Sequence, residues 1–347
     1  MGQYWKIFNI SRREIGQLEG GLKFGEFFFN KQKFLVRSLT IPFESPKLLA
    51  YYKLVPERTY EKGLLSLPNE LLLEIINYAR FATGHFTDFA CFAITCRRIL
   101  ILSRHSLHSD KAVEAAGWYG CRIACIGDYA RIDDLPDQIM NATQRAQLKK
   151  TAESHEDGEA YAGLLSRGDK FTSLYLGMNT WPLALRQRLH SMTKGDRSLY
   201  CAAVSVTYPH RDNWALFNVT KKVYVRASAL AELAGKPADE QPFLPNCRVD
   251  LGHALLLRIA WSYDDSVALQ TDIDIHRGPW AGDRFFISTM DRPAPWYNSD
   301  FLLKGWTDVS DEIVKDLKEI YEDDADILEG PVIEMEDWDI TYFDCDQ

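Results

Sequence analysis

At 347 residues the chain exceeds the usual single domain, and a prior of about one domain per 150 residues gives two folding units. With 46% hydrophobic and 26% charged residues, a net charge of -9 and a mean hydropathy of -0.25, the composition excludes wholesale disorder. No apolar stretch approaches the ~18 residues of a bilayer span, and no Lys/Arg run exceeds two residues, which argues against membrane and nucleic-acid partners.

The opening stretch MGQYWKIFNISRRE carries charge at Lys6, Arg12, Arg13 and Glu14 without an apolar core, so no secretory signal is expected. Seven irregularly spaced cysteines read as reduced thiols, which points to a cytoplasmic or nuclear location. Phe27, Phe28 and Phe29 before Asn30 and Lys31 read as a strand or buried turn, and Pro42, Pro46 and Pro56 then interrupt regular structure. A strongly helical block spans 64 to about 104. Within it Leu72, Ile75, Ile76 and Ala79 fall at i, i+3, i+4 and i+7 behind Pro68, with Leu71 and Tyr78 widening the stripe. After Thr83-Gly84, a second helix starting at Asp88 carries Phe89, Phe92, Ala93 and Cys96 at the same spacing.

Beyond the block, 121–126 is β-like, and 138–167 is helix-compatible with a loop at 155–158. Segments 214–225, 267–275 and 281–288 read as strands, the last entered by a Gly278-Pro279 turn, while 255–261 is a strand or a helix start. Ser310 is placed to N-cap a helix whose Ile313, Leu317 and Ile320 share one face. Residues 308–347 carry a net charge of -14 and the rest of the chain +5; Trp338, Tyr342 and Phe343 lie among the acids. The expected fold class is α+β: a mixed or antiparallel sheet host domain from 1–62 and 107–330, an inserted helical module over 63–106 and an acidic tail over 331–347.

Leu67, Pro68, Glu70, Leu71, Leu72, Ile75, Ile76 and Tyr78, followed by Asp88, Phe89, Phe92 and the closing Cys96-Arg97-Arg98, resemble the F-box, the helical module by which substrate receptors attach to the adaptor of SCF ubiquitin ligases. The resemblance covers about 40 residues; the loop before Asp88 is longer than in the family, and Ile99 stands where Trp is common. It implies an adaptor protein and an unknown protein substrate as partners, with Leu67, Pro68, Leu71, Leu72, Ile75, Ile76, Phe89 and Phe92 in contact with the adaptor. A helical hairpin packed only against its own chain has the same periodicity, so that reading stays open. Met1-Gly2-Gln3-Tyr4, Gly127-Asp128-Tyr129 and Trp280-Ala281-Gly282-Asp283-Arg284 resemble a second group, fungal and bacterial proteins of unknown function, which implies one discontinuous host domain.

For chemistry, Asp272, Asp274 and His276 at alternate positions of an expected strand share one face, with His253 or Asp283 as further donors for an ion. A half-exposed strand gives the same alternation. Trp280, Asp283 and Arg284 combine stacking with charge-assisted hydrogen bonding, or pin a turn. Asp128 and Tyr129 at a strand end admit the same two readings. Cys121 and Cys125 lack the second close pair of a zinc site, and no nucleophile elbow, P-loop, zincin or dinucleotide motif occurs, so no cofactor, metal or catalytic residue is expected. The sequence therefore favours an F-box-like substrate receptor, with a small-molecule-binding domain or unfamiliar enzyme near Asp272, Asp274, His276, Trp280, Asp283 and Arg284 as the alternative.

Overall fold

A computed structural model describes residues 2–16, 22–29, 32–54, 61–83, 86–152, 191–239, 241–269, 271–292, 304–322 and 328. The acidic tail over 331–347, Gly84 and the 155–158 loop lie outside the described residues. In chain order the strands are β1 (Trp5–Asn9), β2 (Glu14–Gly16), β3 (Ile123–Gly127), β4 (Trp214–Asn218), β5 (Val223–Arg226), β6 (Ala260–Trp261), β7 (Phe285–Thr289) and β8 (Thr307–Asp308). The helices are α1 (Phe24–Phe29), α2 (Lys33–Leu39), α3 (Pro46–Leu54), α4 (Asn69–Thr83), α5 (Phe86–Ala93), α6 (Arg97–Ala115), α7 (Ala142–Ala152), α8 (Lys194–Val204), α9 (Ala227–Leu233), α10 (Leu251–Ile259) and α11 (Ser310–Tyr321).

These elements form two units. The sheet unit takes residues 1–41, 118–176 and 209–333, and the helical unit takes 42–117, 177–208 and 334–347. The expected boundaries at 62/63 and 106/107 thus fall inside the helical unit, because α3, the second half of α6 and α8 pack with the hairpin. The sheet unit is discontinuous, and the fold class is α+β with mixed sheets.

One sheet has the order β2-β1-β3-β6, antiparallel except for the parallel pair β3–β6. The other runs β7-β4-β5-β8, antiparallel except for β5–β8. β3 and β4 are buried along their whole length, which explains their near-continuous apolar sequences IACIG and WALFN. Phe217 of β4 stacks on Phe286 of β7 at 4.8 Å, and Trp306 meets it edge-on at 5.4 Å.

Three elements differ from the sequence expectation. Phe24, Phe27 and Phe28 are buried in α1, an i, i+3, i+4 pattern that three consecutive Phe residues disguise as a strand. Residues 255–259 belong to α10, which contacts both β3 and β5, so its sequence is apolar on nearly every side. Its start is fixed by a capping box in which Asp250 accepts from the Gly252 and His253 amides, and only 260–261 is strand. Residues 267–269 and 271–275 are loop rather than strand.

The Trp280–Arg284 segment is a turn, and strand β7 begins only at Phe285. Gly282 sits at φ +85°, where a Cβ would meet the Gln138 carbonyl carbon at 2.7 Å. Asp283 is 2% exposed and accepts from Asn218 Nδ2 at 2.9 Å, while the Ile123 amide donates to the Asp283 carbonyl oxygen at 3.1 Å. The turn therefore ties β3 of one sheet to β4 of the other. Burial pushes the Asp283 carboxyl above its ordinary range, against the Asn218 hydrogen bond and the nearby Lys221 charge, which lower it. Asn218→Ala should destabilise the unit by about 1.5–3 kcal/mol at neutral pH, the value of a hydrogen bond to a buried charge. Because the folded form favours the protonated acid, that deficit should shrink as pH falls toward the ordinary carboxylate range. Chemical denaturation at two pH values checks this; an equal deficit at both would refute it.

Candidate functional site

Ser45 opens the helical unit's described elements by accepting at its carbonyl from the Leu49 amide, and α3, α4, α5, α6 and α8 then share one core. Ile76, Phe89, Leu100, Leu107 and Tyr200 are its main members, each 0–1% exposed, and Leu72, on the same helix as Ile76, is buried at 1%. The Cys96-Arg97-Arg98 run holds this hairpin in shape. Cys96 Sγ accepts from the Ile99 amide and caps α6, and Arg97 donates to the Tyr52 carbonyl at 3.1 Å. Arg98 donates to the carbonyls of Leu65 and Leu67 and to Asn69 Oδ1, fixing the entry to α4. Arg80 pairs with Asp110 and joins α4 to α6.

The eight expected adaptor-contacting residues divide by burial. Leu72, Ile76 and Phe89 lie in the core of the unit itself, each at 1%, and have no surface left to offer a partner. Leu67, Ile75 and Phe92 are half-buried, and Phe92 packs against the same core. Pro68 and Leu71 are exposed. The structure adds Leu64, Tyr78 and Phe81 to the outer surface: Leu64 and Leu71 are each 51% exposed, Tyr78 and Phe81 each 78%. Leu71 and Tyr78 stand seven residues apart and so share a helix face, and Phe81 is one turn beyond, its ring under the Arg80 guanidinium at 5.6 Å. The i+7 and i+10 spacing from Leu71 was the available signal for Tyr78 and Phe81. α4 therefore carries two apolar stripes, one consumed by its own core and one facing outward beside the exposed Glu70 and Glu74.

In the sheet unit the expected ligand residues do not form one set. Asp272 is exposed, and Asp274 pairs with His276 at 2.8 Å across the loop. His253 is fully buried and bonds Asp250 at 2.9 Å. Trp280 and Asp283 are buried in the turn described above, and the exposed Arg284 donates to the Gly120 carbonyl at 2.8 Å. Among the described residues no three His, Cys, Asp or Glu side chains are grouped to hold one ion. Cys91, Cys96, Cys121, Cys125 and Cys247 are outside any disulfide, and burial raises the Cys125 thiol.

What does converge is the carboxyl end of the parallel pair β3–β6. Asp128 follows β3 and exchanges hydrogen bonds with Tyr4, the Tyr4 amide donating to Asp128 Oδ1 at 3.0 Å and the Asp128 amide to the Tyr4 carbonyl at 2.9 Å. Lys23 lies over the Tyr4 ring at 5.4 Å. Ser262 follows β6 and donates to Gln3 Oε1 at 2.6 Å, and Gln3 Nε2 donates to the Asp264 carbonyl at 2.8 Å. Gly127 admits the Gln3 side chain, since a Cβ there would stand 2.2 Å from Gln3 Oε1. Burial raises the Asp128 carboxyl, opposed by its backbone hydrogen bonds and by Lys23. Gln3-Tyr4 and Gly127-Asp128 thus meet here as a structural joint, whereas Trp280–Arg284 lies in the turn between β3 and β4.

No protein-family model, no curated protein and no solved structure matches the chain.

Proposed function

We propose that the helical unit is an F-box-like docking module that attaches this chain to the adaptor of an SCF-type ubiquitin ligase, while the sheet unit presents a protein substrate. In that role the chain does no bond chemistry; it brings a target near a transferase. The observation that supports the reading is the second apolar stripe of α4. Leu71, Tyr78 and Phe81 of this helix, with Leu64 in the turn before it, remain exposed although Leu72 and Ile76 are already buried. A helix that stabilises only its own unit needs one stripe, and clustered exposed large apolar side chains mark interaction surfaces. Tyr and Phe are also among the residues enriched at interface centres. The Leu-Pro-x-Glu-Leu opening of this helix, with Arg98 holding Leu65, Leu67 and Asn69, supplies the edge at which a partner would seat.

The test is amide hydrogen exchange of the full chain with and without the purified adaptor. The reading predicts new protection confined to 64–83. Absence of protection at saturating adaptor, or protection outside that segment, would overturn it.

A further inference from the structure

The carboxyl end of β3–β6 carries groups that the joint between Gln3, Tyr4, Asp128 and Ser262 does not use. Arg131, four residues beyond β3, lays its guanidinium over the ring of Tyr263, two residues beyond β6, with 3.4 Å from Cζ to the ring centroid. Among the described residues that guanidinium makes no ion pair and no hydrogen bond. Its neighbours along the surface differ: Arg277 is held by Asp134 at 2.9 Å, and Arg145 by Asp137 and the Leu135 carbonyl. Arg131 is therefore oriented by stacking, with its donors unspent.

Three large tyrosines also lie open at this end, Tyr4 at 49%, Tyr129 at 45% and Tyr263 at 47% exposure. Because β3 and β6 are parallel, the segments bearing Tyr129, Arg131 and Tyr263 leave the sheet on the same edge, and β1, antiparallel to β3, brings Tyr4 there from its amino end. The edge outside the carboxyl ends of parallel strands is where loops from separate strands can close on one ligand. An ordered, planar guanidinium is matched to a carboxylate or phosphate, which it takes in two-point contact. The local charge separates these two. Asp128 and Asp264 flank the strip, and the Asp264 carboxyl is held below its ordinary value by hydrogen bonds from Ser266. A dianion would meet that repulsion more strongly than a monoanion.

We propose that this edge binds a small aromatic carboxylate, with Arg131 gripping the carboxylate and the rings of Tyr129 and Tyr263 flanking the ligand ring. The reading stands apart from adaptor docking, since it concerns the sheet unit alone.

The experiment is ligand-observed NMR titration of the full chain with benzoate, benzyl alcohol and inorganic phosphate. Benzoate should saturate in the millimolar range, as one charge-assisted contact plus ring packing provides, with benzyl alcohol and phosphate each roughly tenfold weaker. Arg131→Gln should weaken benzoate roughly tenfold at a nearly unchanged melting temperature, because the native side chain is exposed and its stack on Tyr263 is a weak contact at the surface. Tyr129→Leu, which keeps an apolar group at an exposed position, should weaken it as well and guards against a folding defect in the first variant. Non-saturable benzoate, equal binding of benzyl alcohol, tighter binding of phosphate, or full affinity in both variants would each overturn the proposal.

Discussion

Replacing Leu72 and Ile76 together by Asp is expected to unfold the helical unit, whether or not a partner is present. Both side chains are 1% exposed, and Ile76 sits in one cluster with Leu48, Phe89, Leu100 and Tyr200. Each substitution forfeits the ~1.5–3 kcal/mol of a buried aliphatic side chain and adds a buried carboxylate without a partner, a further cost of several kcal/mol. Two such changes exceed the roughly 5–15 kcal/mol by which a domain is stable. Loss of most of the helical circular dichroism contributed by α4, α5 and α6 is the expected readout. A cooperative melt with native helicity in the double variant would show that this cluster is not the core.

The second large effect is a gain. Lys111 on α6 is 2% exposed, and its ammonium donates to the carbonyl of Ser205, the residue after α8, at 2.9 Å. Burial pushes its pKa down to about 8, partly offset by the Glu44 charge. Glu44 is itself held by Arg104, with 2.7 Å between Arg104 Nη2 and Glu44 Oε2, and also feels His108. The unfolded chain binds the extra proton more tightly, so between pH 8 and the ordinary lysine value of 10.5 stability rises with pH. Below pH 8 both states are protonated and the penalty is complete and constant. Lys111→Met should therefore stabilise the helical unit at pH 7, by at most about 3 kcal/mol less the value of the lost Ser205 bond. The stability difference from the parent should narrow as pH rises from 8 to 10.5. Equal differences at pH 7 and 10.5 would refute the assignment.

Where one face of an element is apolar, the sequence was enough to place it. The Leu72, Ile75, Ile76, Ala79 spacing locates α4, and Ile313, Leu317 and Ile320 locate the buried face of α11. At the start of α11 the N-cap is Val309, which offers no side-chain cap, and Ser310 is already helical, its amide donating to Asp308 Oδ1 at 2.9 Å. Elements buried on all sides have no period to read. α10 is buried at every position but Arg258, and only the Asp250 capping box distinguishes it from a strand. The alternation of Asp272, Asp274 and His276 arises in a loop, where period two has no structural meaning.

For the sites, the pattern names the residues of α4 but not which stripe is spent on the core, because that depends on α3, α6 and α8, which come from distant parts of the chain. The contact of Arg131 with Tyr263 joins residues 132 positions apart and leaves no mark in local sequence. Lys111 likewise looks like an ordinary surface lysine until Ser205 is placed beside it.

The most direct measure of the docking account is calorimetric titration of the purified adaptor into the full chain and into its Leu71→Asp/Tyr78→Asp variant. Both positions are exposed, so the variant should melt as the parent does. The account predicts micromolar or tighter binding by the parent and at least a ~100-fold loss in the variant, the size of effect that two central interface residues produce. No heat of binding with the parent, or undiminished affinity in a folded variant, would contradict it.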